Sequence, residues 1–293
     1  MGAWLEMVDV NDSGYQMVKK ELFRHLKVNS DAYKDTYLIR RIRARMRRLG
    51  ISSYMEYYRI IKTNKQELDE LLLTIAINVT EFFRDPVVWR TFEKKVIPEL
   101  VSYKEKHHTH TIKIWSAACS TGQEPYSIAM TLYEALGENL GGFRVRILAT
   151  DIDREALTTA IRGEYPADVV EKQVPRHMIP KYFTRISQER YRISPKIKRL
   201  VKFQQFNLFS PTYPKGFDVI FIRNVLIYIK KDAQEEIFEK LYDSLEDHGY
   251  LILGKTETIL GNAAKLFKLY DLPARIYRKN LEVKGHGTGF GRR

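Results

Sequence analysis

Residues that could do chemistry follow apolar runs at three places in the chain. Residues 117–122 are mostly small, Asp151 ends a second apolar run, and Arg223 and Asn224 end a third one at 218–222. In an open α/β sheet, ligands bind at the carboxyl ends of the strands. Small residues there let a nucleotide approach the backbone, and a carboxylate accepts hydrogen bonds from ribose hydroxyls. The three places therefore predict a site for a nucleotide-like cofactor.

Each place also allows a purely structural interpretation. A loop whose only glycine is Gly122 matches a dinucleotide fingerprint poorly and could be an ordinary strand-to-helix turn. Arg223 and Asn224 could be incidental polar groups in a helical turn. Asp153 could bind the ribose in place of Asp151, but its position directly before a helical pattern favours a helix N-cap. We therefore assign the ribose to Asp151 and the cap to Asp153.

The elements that must position these residues alternate between strands and helices. Such alternation is typical of a parallel sheet with crossover helices, so it predicts an α/β, Rossmann-like domain over residues 99–280. The predicted strands are 112–116, 145–150, 201–205, 218–222, 250–253 and 275–278, and the predicted helices are 125–136, 154–161 and 231–245. The pattern at 181–193 predicts a hairpin, within an inserted antiparallel β-subdomain at about 181–206.

Residues 1–98 have helical periodicity and predict a separate all-α domain. Apolar residues recur at helical spacing over 38–49, Gly50 ends that helix, and further helices are predicted at 65–77 and between Pro86 and Pro98. Six arginines lie among the apolar positions of the first helix and predict a strongly basic exposed face. They are Arg40, Arg41, Arg43, Arg45, Arg47 and Arg48. The glycine-rich end, 281–293, is predicted to be a flexible tail.

Composition limits the class of protein. A formal net charge of +13 predicts an acidic partner, which nucleic acid, an anionic lipid surface or an acidic protein could provide. The single cysteine, Cys119, cannot form an internal disulfide, and no apolar run reaches the roughly 18 residues of a membrane span. We therefore expect a cytoplasmic protein without direct membrane insertion. His107, His108 and His110 lie in a polar segment, where we expect solvated loop and no metal site.

Five motifs, in order, resemble those of the CheR family of chemotaxis receptor methyltransferases. They are NVTEFFR at 78–84, WSAACSTGQEPYS at 115–127, ATDID at 149–153, NLF at 207–209 and IRNVLIY at 222–228. The resemblance extends from about residue 15 to 280. It implies a helical N-terminal domain and a class I methyltransferase domain that carries the inserted β-subdomain. It further implies methyl transfer from S-adenosylmethionine to glutamate carboxylates of chemotaxis receptors, leaving S-adenosylhomocysteine.

The resemblance also implies roles for individual residues. The positions that match the family's cofactor contacts are Asn78, Thr80, Arg84, Glu124, Asp151, Asn207, Leu208, Arg223 and Asn224. Among them, Asn207 and Leu208 would line the adenine end, and Arg223 and Asn224 would flank the methionine part. Tyr228 would lie near the methyl group, so Tyr228 and Arg223 are the catalytic candidates.

A glutamate acceptor needs no general base, because a carboxyl with a pKa of about 4.3 is already ionised at neutral pH. The protein would mainly align the reactants and exclude water. The six arginines would bind the glutamate-bearing cytoplasmic helices of receptors. The hairpin loop at 184–190 is short and lacks glycine, so we do not expect it to hold a receptor's tail peptide. We expect a monomer.

Two other classes of protein share parts of this pattern. A nucleic-acid methyltransferase would account for the net charge, but Arg223-Asn224-Val225-Leu226 stands where a base methyltransferase would carry a motif such as Asn-Pro-Pro-Tyr. We therefore expect no nucleic-acid partner. A non-catalytic module that senses the cofactor would carry the same ligand-binding residues, so only an assay of methyl transfer separates it from an enzyme.

Overall fold

A computed structural model describes residues 10–26, 32–75 and 80–285. The chain divides into two compact units. The first, the helical unit, comprises residues 1–77 together with 228–234, and the second, the sheet unit, comprises 78–227 and 235–293. None of the helices described has the length and apolar character that a membrane span requires.

The described residues of the helical unit form four amphipathic helices before residue 77. They are α1 (Ser13–Leu26), α2 (Asp35–Arg48), α3 (Tyr54–Thr63) and α4 (Lys65–Ile75). Their apolar stripes bury a common core that includes Tyr15, Leu38 and Tyr57. The prediction for 38–49 is confirmed, and Gly50 follows the helix with φ +70°, a conformation that favours glycine.

A segment from late in the chain completes this unit. The Lys34 N–H donates to the Tyr228 carbonyl oxygen at 3.0 Å, and the Lys230 N–H donates to the Ala32 carbonyl oxygen at 2.8 Å. The Asp35 carboxylate at the start of α2 forms an ion pair with Lys230 at 3.2 Å. The helical unit therefore depends on residues 228–234, which the sequence pattern assigned wholly to the other domain.

The sheet unit contains a seven-stranded sheet. Its strands are β1 (Thr111–Ala117), β2 (Arg144–Asp151), β6 (Val201–Gln205), β7 (Phe217–Ile222), β8 (Leu245–Leu253), β9 (Phe267–Asp271) and β10 (Ile276–Lys279). They lie in the order β6-β2-β1-β7-β8-β10-β9. The first five strands in this order are parallel, and β10 is antiparallel to both of its neighbours, β8 and β9. The strand order reverses at β1, as in Rossmann-like folds, so the predicted fold class is confirmed.

The sheet unit also contains helices. They are α5 (Pro86–Thr91), α6 (Ile97–Lys106), α7 (Gln123–Leu136), α8 (Arg154–Arg162), α9 (Ala167–Gln173), α10 (Ile179–Tyr182), α11 (Pro195–Lys198) and α12 (Lys231–Ser244). A π-helical turn, Phe92–Val96, joins α5 to α6, so Pro98 lies in the first turn of α6 and does not end a helix. Trp89 and Phe92 pack against Phe221 of β7. This helical segment thus belongs to the sheet unit, and the structure divides the chain near residue 77 where the sequence interpretation divided it near 98.

A second, three-stranded antiparallel sheet forms the inserted β-subdomain. Its strands are β3 (Glu164–Pro166), β4 (Phe183–Arg185) and β5 (Arg190–Ile193), in the order β3-β5-β4. The predicted hairpin is confirmed as β4 and β5. The predicted range of about 181–206 is wrong at both ends, because β3 precedes it and Val201–Gln205 pairs with β2 in the large sheet. Of the predicted tail, Leu281–Gly285 is a short 3-10 helix and 286–293 lie outside the described residues.

Candidate cofactor site

The loop after β1 turns sharply through three residues with left-handed backbone conformations. Ala118, Ser120 and Gly122 have φ values of +60°, +49° and +93°. A Cβ at Gly122 would lie 2.8 Å from the Ala160 Cβ, so only glycine fits there. Non-glycine residues at positive φ are uncommon and cluster at functional sites. The loop that the sequence analysis selected is therefore a strained turn leading directly into α7.

Strand pairing brings two of the predicted site residues to either side of β1. Ala117, the last residue of β1, pairs with Thr150 of β2 and with Ile222 of β7. Asp151 and Arg223 are the residues that follow these two partners. The carboxyl ends of neighbouring parallel strands thus place both side chains at one edge of the sheet, as expected.

The Asp151 carboxylate lies at the end of β2 and accepts hydrogen bonds from two backbone groups. The Ser120 N–H donates to Oδ2 at 2.7 Å, and the Asp153 N–H donates to Oδ1 at 3.0 Å. Burial raises the pKa of Asp151, and the backbone hydrogen bonds only partly offset this increase. The Asp153 carboxylate accepts from the Glu155 and Ala156 N–H groups, which confirms its predicted role as the N-cap of α8.

The loop after β6 lies beside Asp151. The Phe206 N–H donates to the Asp151 carbonyl oxygen at 2.9 Å, and Asn207 and Leu208 follow. The Asn207 Oδ1 accepts from the Phe209 N–H at 2.9 Å, which fixes the turn, and Leu208 is buried. The structure therefore brings the residues predicted for the adenine end next to the one predicted for the ribose.

Arg223 is buried at the end of β7 within a network of acceptors. Its Nη2 donates to Asp85 Oδ2 at 2.7 Å and to the Arg84 carbonyl oxygen at 2.9 Å, and its Nη1 donates to Glu124 Oε2 at 3.3 Å. Its guanidinium carbon lies 5.9 Å from the centre of the Trp89 ring. The Arg223 Nε is buried and has no hydrogen-bond partner in the described part of the chain. A buried donor without a partner costs free energy, so this Nε requires an explanation such as an acceptor that a ligand supplies.

Glu124, in the first turn of α7, is buried beside Arg223. The Ser116 Oγ donates to its Oε1 at 2.7 Å. Burial raises the pKa of Glu124, attraction to Arg223 and the hydrogen bond from Ser116 oppose the increase, and the charge of Glu257 adds to it. Asp85 and Glu124 form ion pairs with Arg223, and the charge of Glu257 acts on Glu124. This group of carboxylates suits a ligand that carries positive charge.

Glu257, Asp85 and Ser116 belong to this cluster but were missed by the sequence analysis. Glu257 follows β8, the last in chain order of the five parallel strands whose carboxyl ends form this edge of the sheet. The rule used for the other strand ends would have selected the segment after 253. Asp85 directly precedes the helix predicted between Pro86 and Pro98, and no local pattern indicates that Arg223 would reach it.

The remaining cofactor candidates have different outcomes. Thr80 and Arg84 are half-buried in the sheet unit, not in the helical domain to which the predicted boundary assigned them. The backbone N–H of Phe83, just before Arg84, donates to Ser127 Oγ of α7 at 3.1 Å. Asn78 lies outside the described residues.

Tyr228 groups with the helical unit. Its ring packs against Tyr37 of α2, with ring centres 4.5 Å apart. Its backbone is fixed by the hydrogen bond from Lys34 described above. The residue proposed to lie near the methyl group is therefore held by the same helix that carries the six arginines.

The six arginines of α2 do not all lie on an exposed face, so that prediction is wrong in part. Arg45 donates two hydrogen bonds of 2.7 Å to Glu67, Arg43 donates to the Tyr54 hydroxyl at 3.0 Å, and Arg41 lies over the Tyr37 ring. These three are half-buried, because they lie at the flanks of the apolar stripe. The exposed guanidinium groups belong to Arg40, Arg47 and Arg48.

Arg45 is expected to stabilise the fold, unlike its exposed neighbours. Its partner Glu67 is 6% exposed and its pKa is lowered, because hydrogen bonds from Arg45 and Tyr57 outweigh the effect of burial. Arg45→Ala would leave a buried carboxylate without its cation and should lower the free energy of unfolding by about 3–5 kcal/mol. Arg47→Ala should change it by less than about 0.5 kcal/mol.

Urea denaturation of the two variants measures this difference. A double variant, Arg45→Met with Glu67→Leu, should recover most of the loss, because apolar residues of similar volume can replace a buried ion pair. If Arg45→Ala and Arg47→Ala lower the free energy of unfolding equally, the ion pair between Arg45 and Glu67 does not stabilise the fold.

Comparison with known proteins adds to this geometry. Residues 13–76 match the all-alpha domain of CheR methyltransferases, and residues 78–276 match the SAM-binding domain of CheR methyltransferases. A chemotaxis protein methyltransferase of Borreliella burgdorferi is 33% identical over 265 residues, which cover 89% of this chain and 92% of the relative. One from Listeria monocytogenes is 32% identical over 88% of this chain and 94% of its own length. Chemotaxis protein methyltransferase 1 of Pseudomonas aeruginosa is 34% identical over 81% of this chain and 87% of its own length. The chain therefore belongs to the CheR methyltransferase family, and its sheet unit is the S-adenosylmethionine-binding domain of that family.

Proposed function

We propose that this protein transfers the methyl group of S-adenosylmethionine to glutamate carboxylates of chemotaxis receptors, giving glutamate methyl esters. The observation that carries the proposal is that the family's two domain models match the two units of this chain, one after the other. The relatives named as chemotaxis protein methyltransferases support the receptor as substrate.

The residues at the edge of the sheet fit the cofactor. The Asp151 carboxylate suits the two ribose hydroxyls, and Asn207 and Leu208 lie beside it for the adenine. S-adenosylmethionine carries a sulfonium and an ammonium group, and the group of carboxylates around Glu124 favours such cations. The Arg223 Nε has no partner among the described residues, and we propose it as a donor for the cofactor's carboxylate. We propose these roles, with Asn224, Thr80, Arg84 and Asn78 as further contacts, in the positions that the family's motif gives them.

When bound, the cofactor supplies an electrophilic methyl group on a positively charged sulfur. The acceptor carboxylate needs no base, because it is ionised at neutral pH. The protein's task is then to orient the two groups and to exclude water, since transfer neutralises both charges and a less polar surrounding favours that change. Arg223 holds the cofactor, and Tyr228 places the acceptor carboxylate.

The acceptor side of the proposal rests on the exposed basic face of α2. Arg40, Arg47 and Arg48 are exposed, and receptor helices with several glutamates are complementary in charge. Such attraction accelerates encounter and weakens with added salt. We propose cytoplasmic receptor helices as the partner and a monomeric, cytoplasmic enzyme.

A transfer assay tests the proposed function. The protein is incubated with methyl-labelled S-adenosylmethionine and one of three additions: receptor-containing membranes, nucleic acid, or buffer. We expect label on a receptor band that base treatment releases as methanol, the signature of a carboxyl ester. Label on nucleic acid would support a nucleic-acid methyltransferase, and cofactor binding without transfer to any acceptor would support a sensing module.

A further inference from the structure

Glu257 is a buried carboxylate directed at the backbone of the neighbouring strand end. It lies in the turn after β8 and is 4% exposed. Its Oε2 accepts from the Asn224 and Gly254 N–H groups, and its Oε1 accepts from the Leu226 N–H, each at 2.8 Å. One side chain thus fixes three backbone groups, two of them in the loop after β7.

The loop after β7 requires such a partner. Strand β7 ends at Ile222, so the N–H groups of Asn224 and Leu226 have no strand to pair with. Asn224 has φ +61°, a conformation that is unfavourable for most residues unless its surroundings hold it. Buried N–H groups without an acceptor would cost stability, and a carboxylate forms stronger hydrogen bonds with them than a neutral group does.

Close packing locks the two strand ends together. A Cβ at Gly254 would lie 2.7 Å from Glu257 Oε2 and 2.8 Å from both the backbone N and the Nδ2 of Asn224. No side chain fits between the turn after β8 and the loop after β7. The position of Glu257 therefore determines the backbone positions of Asn224 and, one residue before it, Arg223.

We propose that Glu257 is a positioning residue for cofactor binding. It holds the loop 223–226 in the conformation in which Arg223 and Asn224 meet the methionine part of S-adenosylmethionine. Both of its oxygens act as acceptors, so glutamine would present an NH₂ group to at least one N–H and push the loop away. This proposal rests on the proposed cofactor roles of Arg223 and Asn224, but not on the identity of the acceptor.

The test measures the affinity of Glu257→Gln for S-adenosylhomocysteine by calorimetry, together with its melting temperature. We expect the dissociation constant to rise about 10- to 100-fold. The matched control is Glu67→Gln, because Glu67 is also buried and also accepts three hydrogen bonds, from Arg45 and Tyr57, in the other unit. The control should lose thermal stability and keep its affinity.

A second variant displaces the same loop, 223–226, but retains the Glu257 carboxylate. Gly254→Ala should also weaken S-adenosylhomocysteine binding, because its methyl group displaces Asn224. If Glu257→Gln fails to fold, the affinity of Gly254→Ala for S-adenosylhomocysteine provides the test. Unchanged affinity in the folded variants, or the same loss in Glu67→Gln, would overturn the positioning role. Failure of the unaltered protein to bind S-adenosylhomocysteine would instead contradict the proposed function itself.

Discussion

Glu124→Gln is expected to weaken cofactor binding about 10- to 100-fold while the free protein keeps or gains thermal stability. Glu124 is buried, and burial raises its pKa despite the opposing effects of Arg223 and Ser116. A carboxylate whose pKa is raised by folding costs stability in its charged form, and glutamine removes that cost. The cofactor loses a charged partner at the same time. Function and stability therefore oppose each other at this position.

The pH dependence of stability follows from the direction of this shift. The folded protein binds the Glu124 proton more tightly than the unfolded chain does, so this group's contribution to stability falls as pH rises through its raised pKa. Between neutral pH and the usual glutamate value of 4.5, lowering the pH should stabilise the unaltered protein through this group. The Glu124→Gln variant should lack this stabilisation at lower pH.

Glu134→Gln on the same helix is the matched control. The pKa of Glu134 is lowered, because hydrogen bonds from Tyr182 and Lys181 outweigh the effect of burial. Its stabilising contribution is present at neutral pH and is lost as pH falls below the usual range, the opposite sign to Glu124. Melting curves from about pH 3 to about pH 8 and cofactor calorimetry on both variants check the prediction. Equal cofactor affinity in the two variants would contradict a role for Glu124.

Reversing the charge of Arg40, Arg47 and Arg48 together to glutamate is expected to lower kcat/KM for the receptor by about 100-fold at low salt. The three are the exposed guanidinium groups of α2, so repulsion replaces attraction to a glutamate-rich helix. The remaining activity should no longer decrease with added salt. Binding of S-adenosylhomocysteine, measured without receptor, should not change.

A second triple variant controls for total charge. Arg144, Arg146 and Arg162 are exposed on the sheet unit, and their reversal changes the net charge by the same amount. At about 0.1 M salt, where the Debye length is about 10 Å, it should leave receptor methylation within about twofold of normal, because these arginines do not belong to α2. If both triple variants lose activity equally, only the overall charge matters and α2 is not the docking face.

Much of the fold could be predicted because strand ends and helix stripes are local signals. The runs that became β1, β2 and β7 are short, apolar and followed by polar or small residues, and parallel pairing then places Asp151 and Arg223 on either side of Ala117. The N-cap role of Asp153 was equally local. Such features need only the sequence neighbours of each residue.

The errors concern contacts between distant parts of the chain. Pro98 suggested a helix end, but a proline that follows a π-helical turn is tolerated, and Phe92 then packs on the sheet. The ion pair between Arg45 and Glu67 could not be deduced from the sequence of α2. That sequence shows only that the six arginines lie outside the apolar stripe of the helix. The hydrogen-bond partners of Arg223 likewise depend on tertiary structure. So do the hydrogen bonds that Glu257 accepts from Asn224 and Leu226.

The segment Tyr228–Gln234 has a consequence for biosynthesis. Helices α1–α4 are synthesised well before the segment that completes their unit. The residues that pair with Ala32 and Lys34 and pack on Tyr37 are made only after the whole of 78–227. At about 5–20 residues per second, the early helices must wait on the order of ten seconds for them. The helical unit is thus completed only late in synthesis, and apolar surface that stays exposed until then is prone to aggregation.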